Sequence, residues 1–214
     1  MTMEYTILNV SILGEIVIIK YLDEKQEKEI KILLKTYVDF PFYTEQKIEL
    51  NKWKLMLKKD EENLIYNEAY NHLKKSDLTS DELSNKLLKK HPNRKLIINK
   101  IIKEFKEKNL LNDEHFVSYF IRKGINSFKG VERIKYELSL KGINEEMIYQ
   151  NLNDELLELE KEKAYILGNK QMRLSKKLDF RKMRDKVYYK LSYAGYSKEL
   201  IEEIMFKLNL IKEI

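Results

Sequence analysis

One pattern of apolar and polar positions occurs three times along the chain after residue 80. It consists of two apolar residues four apart, a turn residue four positions later, and two apolar residues ten and fourteen positions after the pair. The pairs are Leu83/Leu87, Ile134/Leu138 and Val187/Leu191, the turn residues are His91, Gly142 and Gly195, and the later apolar residues are Ile97/Ile101, Ile148/Leu152 and Ile201/Met205. Leu138 lies 51 residues after Leu87, and Leu191 lies 53 residues after Leu138, so the chain contains an internal repeat.

Each copy predicts a helix, a sharp turn and a second helix, because apolar residues four apart share one helix face. Gly142 and Gly195 suit the left-handed position that ends a helix, and His91 takes that place in the first copy. The sequence Thr79-Ser80-Asp81-Glu82 is a capping box, which starts a helix. With one more helix upstream of each pair, we expect three tandem three-helix repeats that stack into an elongated, curved array.

The first 52 residues follow a different pattern. Tyr5 to Tyr21 is rich in Ile, Val and Thr and contains Gly14, which predicts two short strands around a turn. We expect a small α+β appendage over residues 1–52, anchored to the first helix by Trp53. The predicted repeats then cover residues 53–110, 111–160 and 161–214.

The composition agrees with a mainly helical protein. The chain has 214 residues but only six Gly and two Pro, too few for the many turns of a barrel or sandwich. It has no Cys, which excludes disulfides, thiolate metal sites and a Cys nucleophile. No apolar run approaches the roughly 18 residues of a membrane span. We expect a monomeric, cytoplasmic protein that does not bind membranes.

The central copy contains a recognisable stretch. It runs Asn109-Leu-Leu-Asn-Asp-Glu-His-Phe-Val-Ser-Tyr-Phe-Ile-Arg122 and, after a short gap, Gly130-Val-Glu-Arg-Ile-Lys-Tyr-Glu-Leu-Ser-Leu-Lys-Gly-Ile143. This stretch resembles the RecX family, regulatory proteins that bind and modulate the RecA recombinase. The family positions fall on Asp113, Phe116, Phe120, Arg122, Gly130, Ile134, Leu138, Lys141 and Gly142. Asn112 stands where the family has the first of two acids, a change that preserves helix capping.

The resemblance extends over both flanking repeats, from about Ala69 to Leu208. It implies an all-helical protein that lies in the groove of the RecA–DNA filament. It also implies that the protein restrains recombinase and ATPase activity, in the control of DNA repair, recombination and the SOS response.

A helical wheel of the central repeat locates candidate partner-binding residues. With Val131, Ile134 and Leu138 toward the core, the opposite side carries Tyr136 and Leu140. Aromatic and Arg side chains contribute strongly to binding, although this side of the helix could instead pack against a neighbouring helix. The predicted partner-binding residues are Arg122, Lys123, Lys129, Arg133, Tyr136 and Lys141.

The net charge of +6 averages over unlike segments. Residues 86–108 and 170–190 each carry nine basic against two acidic residues, whereas residues 145–162 carry seven acidic residues against one Lys. Basic segments suit DNA phosphates or acidic protein faces, although solvated helix surfaces are also rich in Lys. The candidate basic residues that face DNA or the filament are Lys89, Lys90, Arg94, Lys95, Lys176, Lys177, Arg181, Lys182, Arg184 and Lys186.

The sequence contains no recognisable catalytic constellation. No Gly has the spacing of a phosphate-binding loop, and the three His are too scattered for a helical metal site. We therefore expect no catalytic residues, no metal and no cofactor, and any effect on ATP turnover would act on a partner's ATPase. Two alternatives remain open: a regulator that binds DNA directly, and a helical-repeat adaptor for another protein.

Overall fold

The computed structural model describes residues 4–211, in which a small antiparallel sheet precedes a series of helices. The strands are β1 (Glu4–Leu13), β2 (Ile16–Asp23), β3 (Gln26–Leu33) and β4 (Lys47–Glu49), and helix α1 (Leu34–Asp39) lies between β3 and β4. Their order in the sheet is β3-β2-β1-β4. The mainly helical fold with a strand-containing N-terminal part is confirmed.

The sheet is larger than the two strands that the sequence indicated. A tight turn at Glu24 and Lys25, both with positive φ (44° and 72°), reverses the chain from β2 into β3. Charged residues at the start of β3 hide its alternation, because only its last residues, Ile32 and Leu33, are buried. A strand that is polar over most of its length gives little hydrophobic signal.

The helical part of the chain consists of nine further helices within the described residues. They are α2 (Leu50–Lys75), α3 (Ser80–Lys90), α4 (Lys95–Glu107), α5 (Asp113–Asn126), α6 (Val131–Ser139), α7 (Glu145–Gln150), α8 (Asp154–Leu174), α9 (Phe180–Ala194) and α10 (Lys198–Lys207). Three sets of three in chain order are what tandem repeats require, and the division into repeats stays a prediction. The expected boundary at residues 160 and 161 falls within α8.

Trp53 anchors the sheet to α2, as expected. Its side chain is only 3% exposed, and its ring lies 5.1 Å from Tyr5, 4.6 Å from Tyr21 and 5.9 Å from Phe42, between ring centroids. Seven other buried apolar side chains complete this core: Ile7, Val17, Ile19, Ile32, Phe42, Ile48 and Met56. Aromatic contacts of this kind add to the free energy gained by burial alone.

The predicted turns and caps are present. Gly142 and Gly195 have φ of 77° and 87°, the left-handed conformation that Gly adopts without a steric cost. The Thr79 hydroxyl accepts the backbone N–H of Glu82, and the Glu82 carboxylate accepts the N–H of Thr79, which is a complete capping box.

Two hydrophobic clusters hold the later helices together. The cluster around α5, α6 and α7 contains Ile134, Leu138 and Ile148 and extends to Leu156 at the start of α8. The cluster around α8, α9 and α10 contains Val187, Leu191, Ile201 and Met205, and it also includes Leu210. The apolar residues of the repeat pattern are therefore core residues in both sets of helices, as predicted.

The chain divides into two compact units. One comprises the described residues through Ser76 together with Lys86–Glu104, and the other comprises Asp77–Asn85 together with the described residues from Phe105 onward. Helix α3 thus begins in one unit and ends in the other. Across residues 4–211, the helices include none with the length and apolar character needed to cross a membrane.

Within the second unit, two helix N-termini are held in the same way. At α3, the Thr79 hydroxyl donates to the carbonyl of Lys141, 2.6 Å away, and the Ser80 N–H donates to Asp113 at 2.8 Å. At α6, the Gly130 N–H donates to the carbonyl of Ala194 at 2.9 Å. The Val131 N–H, which is equivalent to that of Ser80, donates to Glu160 at 2.7 Å.

Each of these helices therefore begins against the left-handed glycine turn of the following set. Lys141 and Ala194 directly precede Gly142 and Gly195. A carboxylate from the first helix of that following set binds the first helical N–H. Such contacts satisfy N–H groups that have no partner within their own helix.

Candidate partner-binding groove

Helix α5 presents aromatic side chains to a groove in the second unit. Phe116 and Phe120 lie four residues apart, and their rings stack with centroids 5.7 Å apart and planes 22° apart. Tyr119 lies beside them and is 54% exposed. Because residues three and four apart on a helix are neighbours, the sequence Phe-x2-Tyr-Phe places all three rings on one side.

Three lysines surround these rings. The ammonium of Lys123 lies 5.4 Å from the Tyr119 centroid, that of Lys129 lies 5.9 Å from Phe120, and that of Lys141 lies 5.7 Å from Phe116. All three distances are within the range of a cation–π interaction. The groove has a volume of about 330 Å³, and Asp77, Gly124 and Ser127 complete its lining.

Ion pairs fix two of the three lysines. Lys129 contacts Glu137 at 2.5 Å, and Lys141 contacts Glu82 at 2.6 Å. Burial opposes ionisation of Glu137, but hydrogen bonds from Lys129 and Arg133 outweigh it, so its pKa lies below the usual value. Glu137 therefore stays ionised and keeps Lys129 and Arg133 in position.

Lys123 differs from the other two lysines. Within residues 4–211, no carboxylate oxygen lies within 4.0 Å of its ammonium. It is exposed at the rim, one turn after Tyr119. The groove thus offers aromatic rings for an apolar side chain and one unneutralised positive charge for an adjacent carboxylate or phosphate.

The structure brings together three of the six predicted partner-binding residues, Lys123, Lys129 and Lys141. Arg133 reaches this group only through Glu137, which it contacts at 2.9 Å. Arg122 is elsewhere on α5 and pairs with Glu155 at 3.2 Å. Tyr136 is 64% exposed on α6, so it does not pack against a neighbouring helix.

The two basic segments differ in their surroundings. In residues 86–108, Lys90 pairs with Glu68 at 3.0 Å, and Arg94 pairs with Glu61. Both acids lie on α2, so part of the positive charge of this segment is neutralised within the fold. Lys89 and Lys95 are exposed.

In the second segment most of the positive charge stays available. Arg184 and Lys182 contact only neighbouring carboxylates on the same stretch of chain, Asp185 at 3.1 Å and Asp179 at 3.3 Å. The other four predicted cations are exposed: Lys176, Lys177, Arg181 and Lys186.

The sequence did not single out Phe116, Tyr119 and Phe120 as groove residues, because an aromatic helix face usually marks core. The signal that could have found them is a Lys following the aromatic cluster by one turn, at Lys123. No group of three or more His, Asp or Glu side chains in the described part of the chain is arranged to hold a metal ion.

The fold and the sequence are similar to those of regulatory proteins. "Regulatory protein RecX" of Clostridioides difficile strain 630 is 31% identical over 163 residues, which cover 75% of this chain and 76% of the relative. A crystal structure of a regulatory protein RecX has a TM-score of 0.72 at 20% identity and covers 94% of this chain and 99% of its own. RecX from Lactobacillus salivarius has a TM-score of 0.64 at 28% identity and covers 72% of this chain and 99% of its own.

The chain belongs to the RecX family of regulatory proteins. The resemblance seen in the central stretch is thereby confirmed for most of the chain. No protein-family model matches the chain.

Proposed function

We propose that this protein binds the filament of the RecA recombinase on DNA and modulates, mainly inhibits, its recombinase and ATPase activities. The observation that carries the proposal is the groove of α5, where residues of the family stretch, Phe116, Phe120 and Lys141, lie together with Lys123 and Lys129. A cluster of aromatic rings with a cationic rim is typical of surfaces that bind another protein through an apolar anchor beside an acidic residue.

The proposed mechanism is steric and electrostatic. An apolar side chain of the filament would occupy the groove, and a nearby carboxylate would pair with Lys123. The chain itself would hydrolyse no ATP, since its sequence has no phosphate-binding loop. The site of action would be the cytoplasm, and the predicted three-repeat array, 53–110, 111–160 and 161–214 after the 1–52 appendage, would span successive protomers of the filament.

The test is the rate of DNA-dependent ATP hydrolysis and of strand exchange by RecA from the same source, with this protein added in stoichiometric amount. We expect both rates to fall. Tyr119→Ala and Lys123→Glu should relieve the inhibition, because they remove an exposed ring and the unpaired charge without disturbing the core. Unchanged rates with the unmodified protein would contradict the proposal.

Matched controls are available in the N-terminal sheet and its loops. Tyr43 and Lys25 are exposed there, so Tyr43→Ala and Lys25→Glu change the same residue types outside the groove. Both controls should inhibit as strongly as the unmodified protein. Charge reversal at Arg122, Lys129 and Arg133 should also weaken filament binding while helicity stays intact.

Two other functions lead to different outcomes. A regulator that acts on DNA alone would bind naked DNA tightly and with a steep salt dependence, without any effect that requires RecA. A helical adaptor for another protein would leave both RecA rates unchanged and would retain a different partner from a cell lysate.

A further inference from the structure

The exposed side of α9 carries a stripe of cationic and aromatic side chains. Lys182, Lys186, Tyr189 and Tyr193 follow one another at intervals of four, three and four residues, which places them on one helix face. Tyr189 is 69% exposed and Tyr193 is 79% exposed. Lys190 lies beside the stripe and is exposed as well.

The two tyrosines hold positions equivalent to those of Tyr136 on α6 and of Leu140, which directly follows α6. Tyr189 lies 53 residues after Tyr136, and Tyr193 lies 53 residues after Leu140, the spacing of the repeat. All four side chains are more than half exposed. The guanidinium of Arg133 on α6 lies 5.9 Å from the Tyr193 centroid, within the range of a cation–π interaction.

The corresponding positions on α3 have no such character. Asn85 and Lys89 stand 51 residues before Tyr136 and Leu140, and both are polar. If the exposed rings served packing between repeats, the first copy would need them too. The exposed apolar and aromatic side chains therefore belong to the α6 and α9 copies and not to the repeat as such.

The charge around the tyrosines is largely unneutralised. Within the described residues, neither Lys186 nor Lys190 has a carboxylate within 4.0 Å. Of the two acids in residues 170–190, Asp179 caps the start of α9 and contacts Lys182 at 3.3 Å, and Asp185 contacts Arg184. The exposed face of α9 is thus complementary to a polyanion.

The rings are also positioned for stacking. Tyr189 and Tyr193 are one turn apart, about 6 Å along the helix axis. Tyr188 contacts Tyr189 edge to face with centroids 6.1 Å apart, which limits the orientations of the Tyr189 ring. Both tyrosine side chains are more than half exposed, so a planar ligand can reach them from solvent.

We propose that this face of α9 binds single-stranded DNA, with phosphates on Lys182, Lys186 and Lys190 and bases stacked on Tyr189 and Tyr193. Unpaired bases expose their faces to such rings, whereas a duplex hides them. Acidic side chains of a protein would neutralise the lysines but would leave two exposed rings without a stacking partner. The choice of DNA over RNA rests on the proposed function.

The test is fluorescence anisotropy of a labelled oligothymidylate of roughly 16 nucleotides with the full-length protein and no recombinase. Tyr189→Ala and Tyr193→Ala should each weaken binding about five-fold or more, the usual loss for one stacked base. Tyr43→Ala, which removes an exposed tyrosine elsewhere, should bind as the unmodified protein does. A duplex of the same length should bind more weakly and should not respond to the tyrosine substitutions.

The lysines have a separate readout. Lys186→Gln and Lys190→Gln should each reduce the slope of log affinity against log salt by about 0.7, as expected for one phosphate contact on a single strand. Lys25→Gln should leave the slope unchanged.

Three outcomes would overturn the proposal: no binding of the oligothymidylate, binding by both tyrosine variants that is as tight as that of the unmodified protein, or binding of the duplex that is as tight as that of the oligothymidylate. None of these would affect inhibition of RecA through the α5 groove. Conversely, Tyr119→Ala should leave oligothymidylate binding intact, so the two proposals fail separately.

Discussion

Glu160 and Asp113 each accept the first backbone N–H of a helix, but their pKa values shift in opposite directions. Burial raises the pKa of Glu160 above its ordinary value of 4.5, and the Val131 N–H only partly offsets this. Burial also acts on Asp113, but hydrogen bonds from Ser80 and Lys106 outweigh it and lower its pKa. The difference follows from the number of donors, since Glu160 receives one N–H.

The stability of the fold should therefore depend on pH through Glu160. A raised folded-state pKa means that its stabilising contribution is complete below the unfolded value of 4.5 and is lost as the pH rises through the folded pKa. Glu160→Gln keeps an oxygen acceptor for Val131 and removes the ionisation. We expect the variant to gain stability relative to the unmodified protein as the pH rises above about 4.5, measured by urea unfolding.

Asp113→Asn is the companion variant, with the opposite sign. A lowered pKa gives stability above the unfolded value that is lost as the pH falls. The Asn variant should therefore be less stable at neutral pH and should approach the unmodified protein in acid. Parallel pH profiles of the two variants would contradict this assignment.

The buried hydroxyl of Tyr196 allows a test of what one unpaired polar atom costs in stability. Its hydroxyl is buried and has no protein hydrogen-bond partner among the described residues, and burial raises its pKa well above 10. An unpaired buried polar group costs about 1–3 kcal/mol, so Tyr196→Phe should leave the free energy of unfolding unchanged or raise it by about 1 kcal/mol. Tyr37 donates to the Phe42 carbonyl at 2.9 Å, so Tyr37→Phe should lose about 1 kcal/mol.

Gly130 is required for steric reasons alone. A Cβ there would lie 2.1 Å from the carbonyl oxygen of Gly195, although its φ of −72° suits any residue. Gly130→Ala should lower the free energy of unfolding by about 2 kcal/mol or more, as overpacking does. At Gly14, where φ is 62° and no atom lies within 4 Å of a Cβ, Ala should cost only about 1 kcal/mol of backbone strain. Equal losses at both positions would argue against the contact.

At the scale of one element, helix α3 depends on a cap that has two functions. Thr79 closes the capping box and also donates to the Lys141 carbonyl. Thr79→Ala should cost about 2 kcal/mol, the upper end for a cap, because a cross-helix hydrogen bond is lost as well. Ser197 caps α10 by accepting the Leu200 N–H, so Ser197→Ala should cost about 1 kcal/mol. Thermal unfolding of both variants measures the difference.

Helices and caps were predictable because they depend on local chemistry. The capping box at Thr79 and the left-handed Gly142 can be read within four residues. The strand β3 could not be predicted from its alternation, because it is exposed and charged over most of its length, although it pairs with the adjacent β2 across a tight turn. The α5 groove was beyond prediction for a different reason: Lys129 and Lys141 reach the rings only after two turns have folded.

At the scale of the whole molecule, Trp53 reports on one unit only. It is the single Trp and lies in the core of the sheet, whereas circular dichroism follows helices in both units. Because α3 belongs to both units, we expect them to unfold together. The two signals should therefore give the same midpoint in guanidinium, and two separate midpoints would show that the units unfold independently.

The two held N-termini have a consequence for the modularity of the chain. The N-termini of α3 and α6 are held by the same two kinds of acceptor. One is the carbonyl that precedes a left-handed glycine, and the other is a carboxylate from the first helix of the following set. A deletion equal in length to one predicted repeat would place the start of α3 where α6 now begins. The Ala194 carbonyl and the Glu160 carboxylate could then accept hydrogen bonds from α3. A deletion of any other length would separate the start of α3 from these two acceptors, so we expect only the loss of a whole predicted repeat to preserve the contact.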